Sequence, residues 1–209
     1  EDKDILKNKL TLIGRGSVLV NCPVIVNSLI CDGCICRNAS IQNCIIGENA
    51  KIINSAIENS LLHHNTSVTD ALEVDTVMMY DHATIGKGAR VVSSILAPDA
   101  SLAGGECHHS LLGPMIGFHH TSLLISTIWP FGRGNIAYGA KVGANHTGRS
   151  NDQECFIGEG LFFGLGASVK FPQNLVASPY SIVAAGTLLP PQRVSFPFSL
   201  ISPGDQTLG

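Results

Sequence analysis

The chain has 209 residues, enough for one ordinary domain or for one long stack of short repeats. It is 44% hydrophobic, but only 6% aromatic and 14% charged, so small aliphatics rather than rings must fill its interior. A net charge of −3 with no basic run excludes a nucleic-acid footprint, and no apolar run of about 18 residues offers a membrane span.

Glu1–Lys9 has no initiating Met and no signal-peptide pattern, so the sequence reads as a fragment of a longer protein. From Thr11 a short phrase recurs: a small residue, two aliphatics, four or five polar or small residues, then another aliphatic. Its copies begin at Thr11, Ser28, Cys44, Ser60, Val77, Ser94 and Ser110, spaced 17, 16, 16, 17, 17 and 16 residues apart. That period is too short for a helix pair, so each copy is expected to be one coil of a β-solenoid. Leu12-Ile13-Gly14-Arg15-Gly16-Ser17 falls inside the first copy and reads as a corner, not a phosphate cradle.

Alignment of the copies gives three apolar columns. Leu12, Leu29, Ile45, Leu61, Met78, Ile95 and Leu111 form the first. Ile13, Ile30, Ile46, Leu62, Met79, Leu96 and Leu112 form the second. Leu19, Cys36, Ile52, Val68, Ile85, Leu102 and Phe118 form the third. Of two adjacent apolar residues in a strand only one points inward; the other faces out or packs in a subunit contact. One coil cannot stand alone. Each buried aliphatic contributes about 1.5–3 kcal/mol, while ordering each residue costs about 1–2 kcal/mol. Asn27, Asn43 and Asn59 share a further column, where Asn tolerates left-handed corners and stacked amides bond along the axis.

Seven cysteines, an odd count, read as reduced small hydrophobes in a cytoplasmic protein. Cys31-Asp32-Gly33-Cys34 has metal or redox spacing, but no second such pair accompanies it.

The period breaks after Phe118. The next matching aliphatics are Val142, 24 residues on, and Val169, a further 27. Two loops are therefore expected to leave the solenoid, one near 128–135 and one near 145–154. The first holds Trp129 and Arg133, suited to stacking on a flat ligand or to packing at a subunit seam. The second holds Asn145, His146, Arg149, Asp152 and Glu154. Those residues are either a solvated loop or a base, an anion fork and an orienting carboxylate in one excursion. Residues 171–209 are rich in Pro, which cannot donate to a ladder, and read as a cap on the open end.

All eight histidines lie between His63 and His146. His63, His64 and His82 share columns with Tyr80, Asp81, Asn65 and Asp99, and read as surface corner ladders. His108, His109, His119 and His120 bracket Gly113–Gly117 just before the break. A neutral imidazole there could deprotonate a sugar hydroxyl or amine.

Ile46-Gly47-Glu48-Asn49-Ala50-Lys51-Ile52, Ile85-Gly86-Lys87-Gly88-Ala89-Arg90-Val91 and Ser181-Ile182-Val183-Ala184-Ala185-Gly186-Thr187 resemble the hexapeptide repeats of left-handed parallel β-helix proteins. These include sugar and nucleotide-sugar acyltransferases and the C-terminal domains of sugar-1-phosphate nucleotidyltransferases. The stretch from Leu112 to Ile201 resembles an uncharacterised bacterial family labelled as related to UDP-N-acetylglucosamine pyrophosphorylase. The resemblance implies an all-β, left-handed, triangular solenoid over 1–209 as one domain, the winding hand coming from the resemblance alone. It also implies a homotrimer.

For function, the resemblance implies a bacterial transferase domain acting on a sugar or nucleotide-sugar. Acyl-CoA would be a possible co-substrate, and no cofactor would be tightly held. The expected base is His120 or His146, oriented by Asp152 or Glu154. Substrate contacts are expected from Trp129, Arg133, Asn145, Arg149 and His119. A rival reading is a non-catalytic oligomerisation or regulatory helix of a pyrophosphorylase-like protein. A third is a gamma-carbonic-anhydrase-like zinc site, or metal bound at His108, His109, His119 and His120. His82 and His119 are 37 residues apart, as are His109 and His146. Those spacings fit an 18-residue period poorly matched by this chain.

Overall fold

The computed structural model describes residues 10–144 and 154–202. They wind as eleven coils, each laying short strands on three parallel sheets of eleven, eleven and ten strands, with no helix. The first face starts at Leu12–Ile13, the second at Val18–Val20 and the third at Val24–Val26. Every strand pairs with the strand of the same face one coil away. The result is a triangular prism whose three edges are the corners between strands.

The sequence columns map directly onto this prism. On the first face, Leu12, Leu29, Ile45, Leu61, Met78, Ile95 and Leu111 stack rung on rung, as do their neighbours from Ile13 to Leu112. The second member of each pair turns inward and is buried from Ile30 onward, whereas the first is partly or fully exposed. The column from Leu19 to Phe118 is the interior of the second face. The third wall was not apparent in the repeat phrase. It is the inward column Ile25, Ile41, Ile57, Val74, Val91, Cys107 and Leu124, which comes after each phrase ends.

Corners turn through the left-handed region. Asn27, Asn43 and Asn59 have φ of 49°, 54° and 50°. Their amides form a ladder: Asn27 Nδ2 donates to Asn43 Oδ1 at 2.9 Å, and Asn43 Nδ2 to Asn59 Oδ1 at 3.0 Å. A second ladder on the edge between second and third faces runs from Asn38 to Asn54 at 2.7 Å and on to Asp70 at 2.8 Å. The small residue that opens each phrase also has a task. Ser94 Oγ donates to the Val92 carbonyl at 2.8 Å and accepts from Ser110 N at 3.2 Å; Ser110 repeats this with His108 O and Thr127 N. At Ser28, Ser60, Ser94 and Ser110 a buried hydroxyl thus ties one coil to the next where the strand ladder is interrupted.

Three expectations are corrected. Phe118 stacks not on Val142 but on Ile136, and Val142 lies on the third face against Leu124. The segment near 128–135 is therefore no excursion: Thr127–Trp129 and Asn135–Ile136 are ordinary rungs. The corner between them, 130–134, is one residue longer than the preceding corner, 113–116. The one large insertion among the coils separates Lys141–Ala144 from Cys155–Ile157, and residues 145–153 of it lie outside the described residues. Finally, the Pro-rich segment is not a separate cap. Gln173–Leu175, Ile182–Val183, Leu188–Leu189, Gln192–Arg193 and Leu200–Ile201 continue all three ladders. Its described prolines all sit at corners, where no ladder donor is required.

All seven cysteines are free, and five of them are buried. Burial pushes the Cys36, Cys107 and Cys155 thiols up to about 12, so they pack as neutral apolar wedges.

Inward and outward members of one strand should differ sharply in energetic weight. Ile57→Ala, fully buried, should cost about 2–5 kcal/mol. Ile45→Ala, with Ile45 48% exposed, should stay within about 0.5 kcal/mol in the isolated chain. Urea unfolding midpoints of the two variants check this.

Candidate functional site

The repeat lengths shape the surface. Between the inward residues of the second and third faces, coil 5 spans Ile85 to Val91 and coil 7 spans Phe118 to Leu124, six steps each, whereas coil 6 spans Leu102 to Cys107, five. The shortened corner, Ala103-Gly104-Gly105, lies recessed between Gly86-Lys87-Gly88-Ala89 and His119-His120-Thr121-Ser122. Gly105 has φ of 81°, and a side chain there would collide with the Ser122 carbonyl. The recess is a notch of about 450 Å³ on the edge between the second and third faces.

Lys87, Arg90, Glu106 and His120 line the notch, with Leu72 and Leu123 as apolar walls. Arg90 Nη1 is 3.0 Å from Glu73 Oε2. Glu106 Oε2 is 3.5 Å from His108 Nε2. The exposed His120 ring packs edge-on against Tyr138 of the next coil, with centroids 4.9 Å apart. An imidazole, a guanidinium and an ammonium around one recess can take a proton from a hydroxyl or amine and hold an anion beside it. His120 is one of the two bases expected from the sequence. Lys87, Arg90 and Glu106 were missed. The signal for them was present in the spacing: a 16-residue repeat, from Ser94 to Ser110, between two longer ones.

Among the described residues, Trp129, Arg133 and Glu154 do not join His120. His119 is exposed on the same edge, one residue away. Glu154 stands on the edge between the third and first faces, two coils further along. Asn145, His146, Arg149 and Asp152 lie outside the described residues. Arg133 sits on the remaining edge, where its Nη1 is 3.5 Å from Glu159 Oε1. Glu159 also accepts from Tyr180 Oη at 2.8 Å, and Tyr180 stacks on Phe198.

Trp129 corrects the expectation of a surface platform. It is fully buried, in register with Leu112 and edge-on to Phe163 at 5.6 Å, and Gly134 is small because the indole fills the space a side chain would need. Its Nε1 has no partner among the described residues.

The histidine pairs likewise separate. His108 lies on the third face and His109 at its corner with the first face, whereas His119 and His120 lie on the opposite corner of the third face. His82 belongs to a different edge from His119. Among the described residues no group of three or more His, Cys, Asp or Glu could hold a metal ion. The His63, His64 and His82 corners form the expected ladder: His64 N donates to Asp81 Oδ1 at 3.1 Å, and His63 stacks on Tyr80 with centroids 4.8 Å apart. No helix among the described residues is long and apolar enough to cross a membrane.

The repeat and the prism together define a hexapeptide-repeat parallel β-helix protein. A family model described as GlmU-like, C-terminal hexapeptide, matches residues 19–91, and a left-handed winding fits that match. An uncharacterised protein of Treponema pallidum (strain Nichols) is 29% identical over 97 residues. That stretch is 46% of this chain and 13% of the relative, so the chain spans only a small part of that protein.

The position of the single Trp is directly measurable. Trp129 emission should be blue-shifted and resist iodide quenching in the native protein. An added acyl-CoA or nucleotide-sugar should not quench it.

Proposed function

We propose that the domain transfers an acyl group to a sugar or nucleotide-sugar, with the notch at coil 6 as its site. The observation that carries this reading is the exposed His120 imidazole beside Lys87 and Arg90 in a recess made by a shortened corner. His120 takes the proton from the acceptor hydroxyl or amine as that atom attacks the thioester carbonyl of an acyl-CoA. The tetrahedral adduct collapses, the C–S bond breaks, and the proton passes to the departing thiolate. Lys87 and Arg90 hold phosphate groups of donor or acceptor. Acyl-CoA is a co-substrate in this scheme, not a resident cofactor.

Incubation with acetyl-CoA and a panel of UDP- and dTDP-sugars tests it by release of free CoA thiol. His120→Ala should lower kcat about 10²–10⁴-fold, while His82→Ala, on another edge, should leave it unchanged. Absence of turnover on every acceptor, or equal activity of both variants, rejects the reading.

A second reading, assembly, is favoured by the first face. Its outward column is apolar from Leu12 through Ile128 to Phe156, with Leu12, Leu29, Ile45, Ile95 and Ile128 exposed. Two shallow hollows, both lined by Asn43 and Ile45, run along it. Such a stripe suits contact with further copies of the chain, as in a homotrimer. The notch lies on the edge opposite this face, so the two readings are separable. Ile45→Asp with Ile95→Asp should lower the mass measured by light scattering, while the His120 notch stays intact. An unchanged mass would remove the first face as the contact.

A further inference from the structure

The edge between the first and second faces changes character along its length. Each coil places one residue of this corner in the left-handed region. On the first six coils, from Gly16 to Asp99, that residue is Gly, Asn, His or Asp, which tolerate the conformation. On the last five it is Met115, Arg133, Gly160, Tyr180 and Phe198. A bulky residue there is an outlier, held against its preference, and such outliers gather at ligand clamps. The charge divides at the same point. The first six corners carry the exposed or half-buried acids Asp32, Glu48, Asp81 and Asp99, with Arg15 as their one Lys or Arg. We propose that this edge binds a proline-rich segment of a partner protein, in the polyproline II conformation, with a basic residue at one end.

The rings set the spacing. Phe131 on coil 8 is 61% exposed, and Tyr180 on coil 10 is 43% exposed and stacked on Phe198 at 5.8 Å. The corner between them, Gly158-Glu159-Gly160, is low, because two of its three residues have no side chain. Two aromatic posts therefore stand two rungs apart, which is roughly 9.6 Å along the axis. One turn of polyproline II, three residues, rises about 9.3 Å. A further two rungs, from Phe131 on coil 8 to Asp99 on coil 6, repeat the interval. Prolines at positions 1 and 4 of a segment would meet Tyr180 and Phe131, and a Lys or Arg at position 7 would meet Asp99 and the acids beyond it. The charge of the edge thus complements a basic end, and its rings complement a prolyl body.

Hydrogen-bonding capacity favours a peptide over a glycan. Glu159, the carboxylate between the posts, is already engaged by Arg133 at 3.5 Å and by Tyr180 Oη at 2.8 Å. Sugar hydroxyls bring donors that would need such an acceptor. A prolyl backbone has carbonyls and no N–H, so it asks only for donors. Arg133 supplies them, since its fork commits Nη1 to Glu159 and carries further N–H groups. The site does not depend on the acyl-transfer reading, because His120 is on a different edge.

Calorimetric titration of the whole chain with a synthetic nonaproline bearing Arg at both ends tests the proposal without fixing the direction of the peptide. It should bind saturably with Kd below about 1 mM, and at least about tenfold tighter than a Gly-Ser peptide of equal length with the same arginines. Phe131→Ala and Tyr180→Ala should each weaken it about tenfold, with an unchanged far-ultraviolet spectrum reporting an intact solenoid. Asp99→Asn should weaken the Arg-bearing peptide and leave plain nonaproline unaffected, while His120→Ala should bind as the parent does. No saturation, equal binding of the Gly-Ser peptide, tighter binding of cellohexaose, or an unaffected Phe131→Ala would each overturn it.

Discussion

Parallel rungs about 4.8 Å apart leave a coil no freedom along the axis. Each turn must retrace the one before it, because every strand on each face is hydrogen-bonded to the same face one coil away. A residue gained or lost cannot be absorbed within a strand without turning the inward column outward. It must be absorbed at a corner. Among the described residues the irregularity is therefore concentrated on the edges, as at the short corner at Gly104-Gly105 and the one-residue extension at 130–134, apart from one register shift between Val142 and Ala144 on the third face. The faces give stability, and the edges are where chemistry has room to develop.

Two of the three interior walls were legible in the primary sequence, because doubled aliphatics and the column from Leu19 to Phe118 repeat at nearly constant spacing. The third was not. Its residues, such as Ile41, Ile57 and Val74, follow the corner that varies in length, so they drift against the phrase that marks the other two. The same drift misplaced Val142 in the ladder of Phe118. Trp129 misled for another reason: an aromatic among Pro, Gly and Arg reads as surface, yet Gly134 leaves the space that the large ring fills in the interior. Composition could not distinguish these cases, since only stacking tells which side of a strand is the inside.

Sequence proximity grouped the histidines, the Arg133 corner and the acidic segment as one constellation. A solenoid separates what lies close in sequence, because about six residues carry the chain from one edge to the next, while residues about 16 or 17 apart become neighbours. His120 therefore belongs with Lys87 and Gly105, not with Trp129 or Glu154. Neighbourhood on this scaffold is counted in periods, and the notch is assembled from four successive ones, from Leu72 to His120.

The amide ladders carry one more implication. Asn27, Asn43 and Asn59 pass their bonds downward and finish on Asp75 Oδ1 at 2.8 Å; Asn38 and Asn54 finish on Asp70, and Gln42 on Glu58. A carboxylate receives but cannot give, so each of these acids imposes a single orientation on every amide above it. Two otherwise equivalent ways of flipping the whole row are thereby reduced to one. The chain has a built-in arrow, fixed by three anions, which tells each new turn which way its polar edge must point.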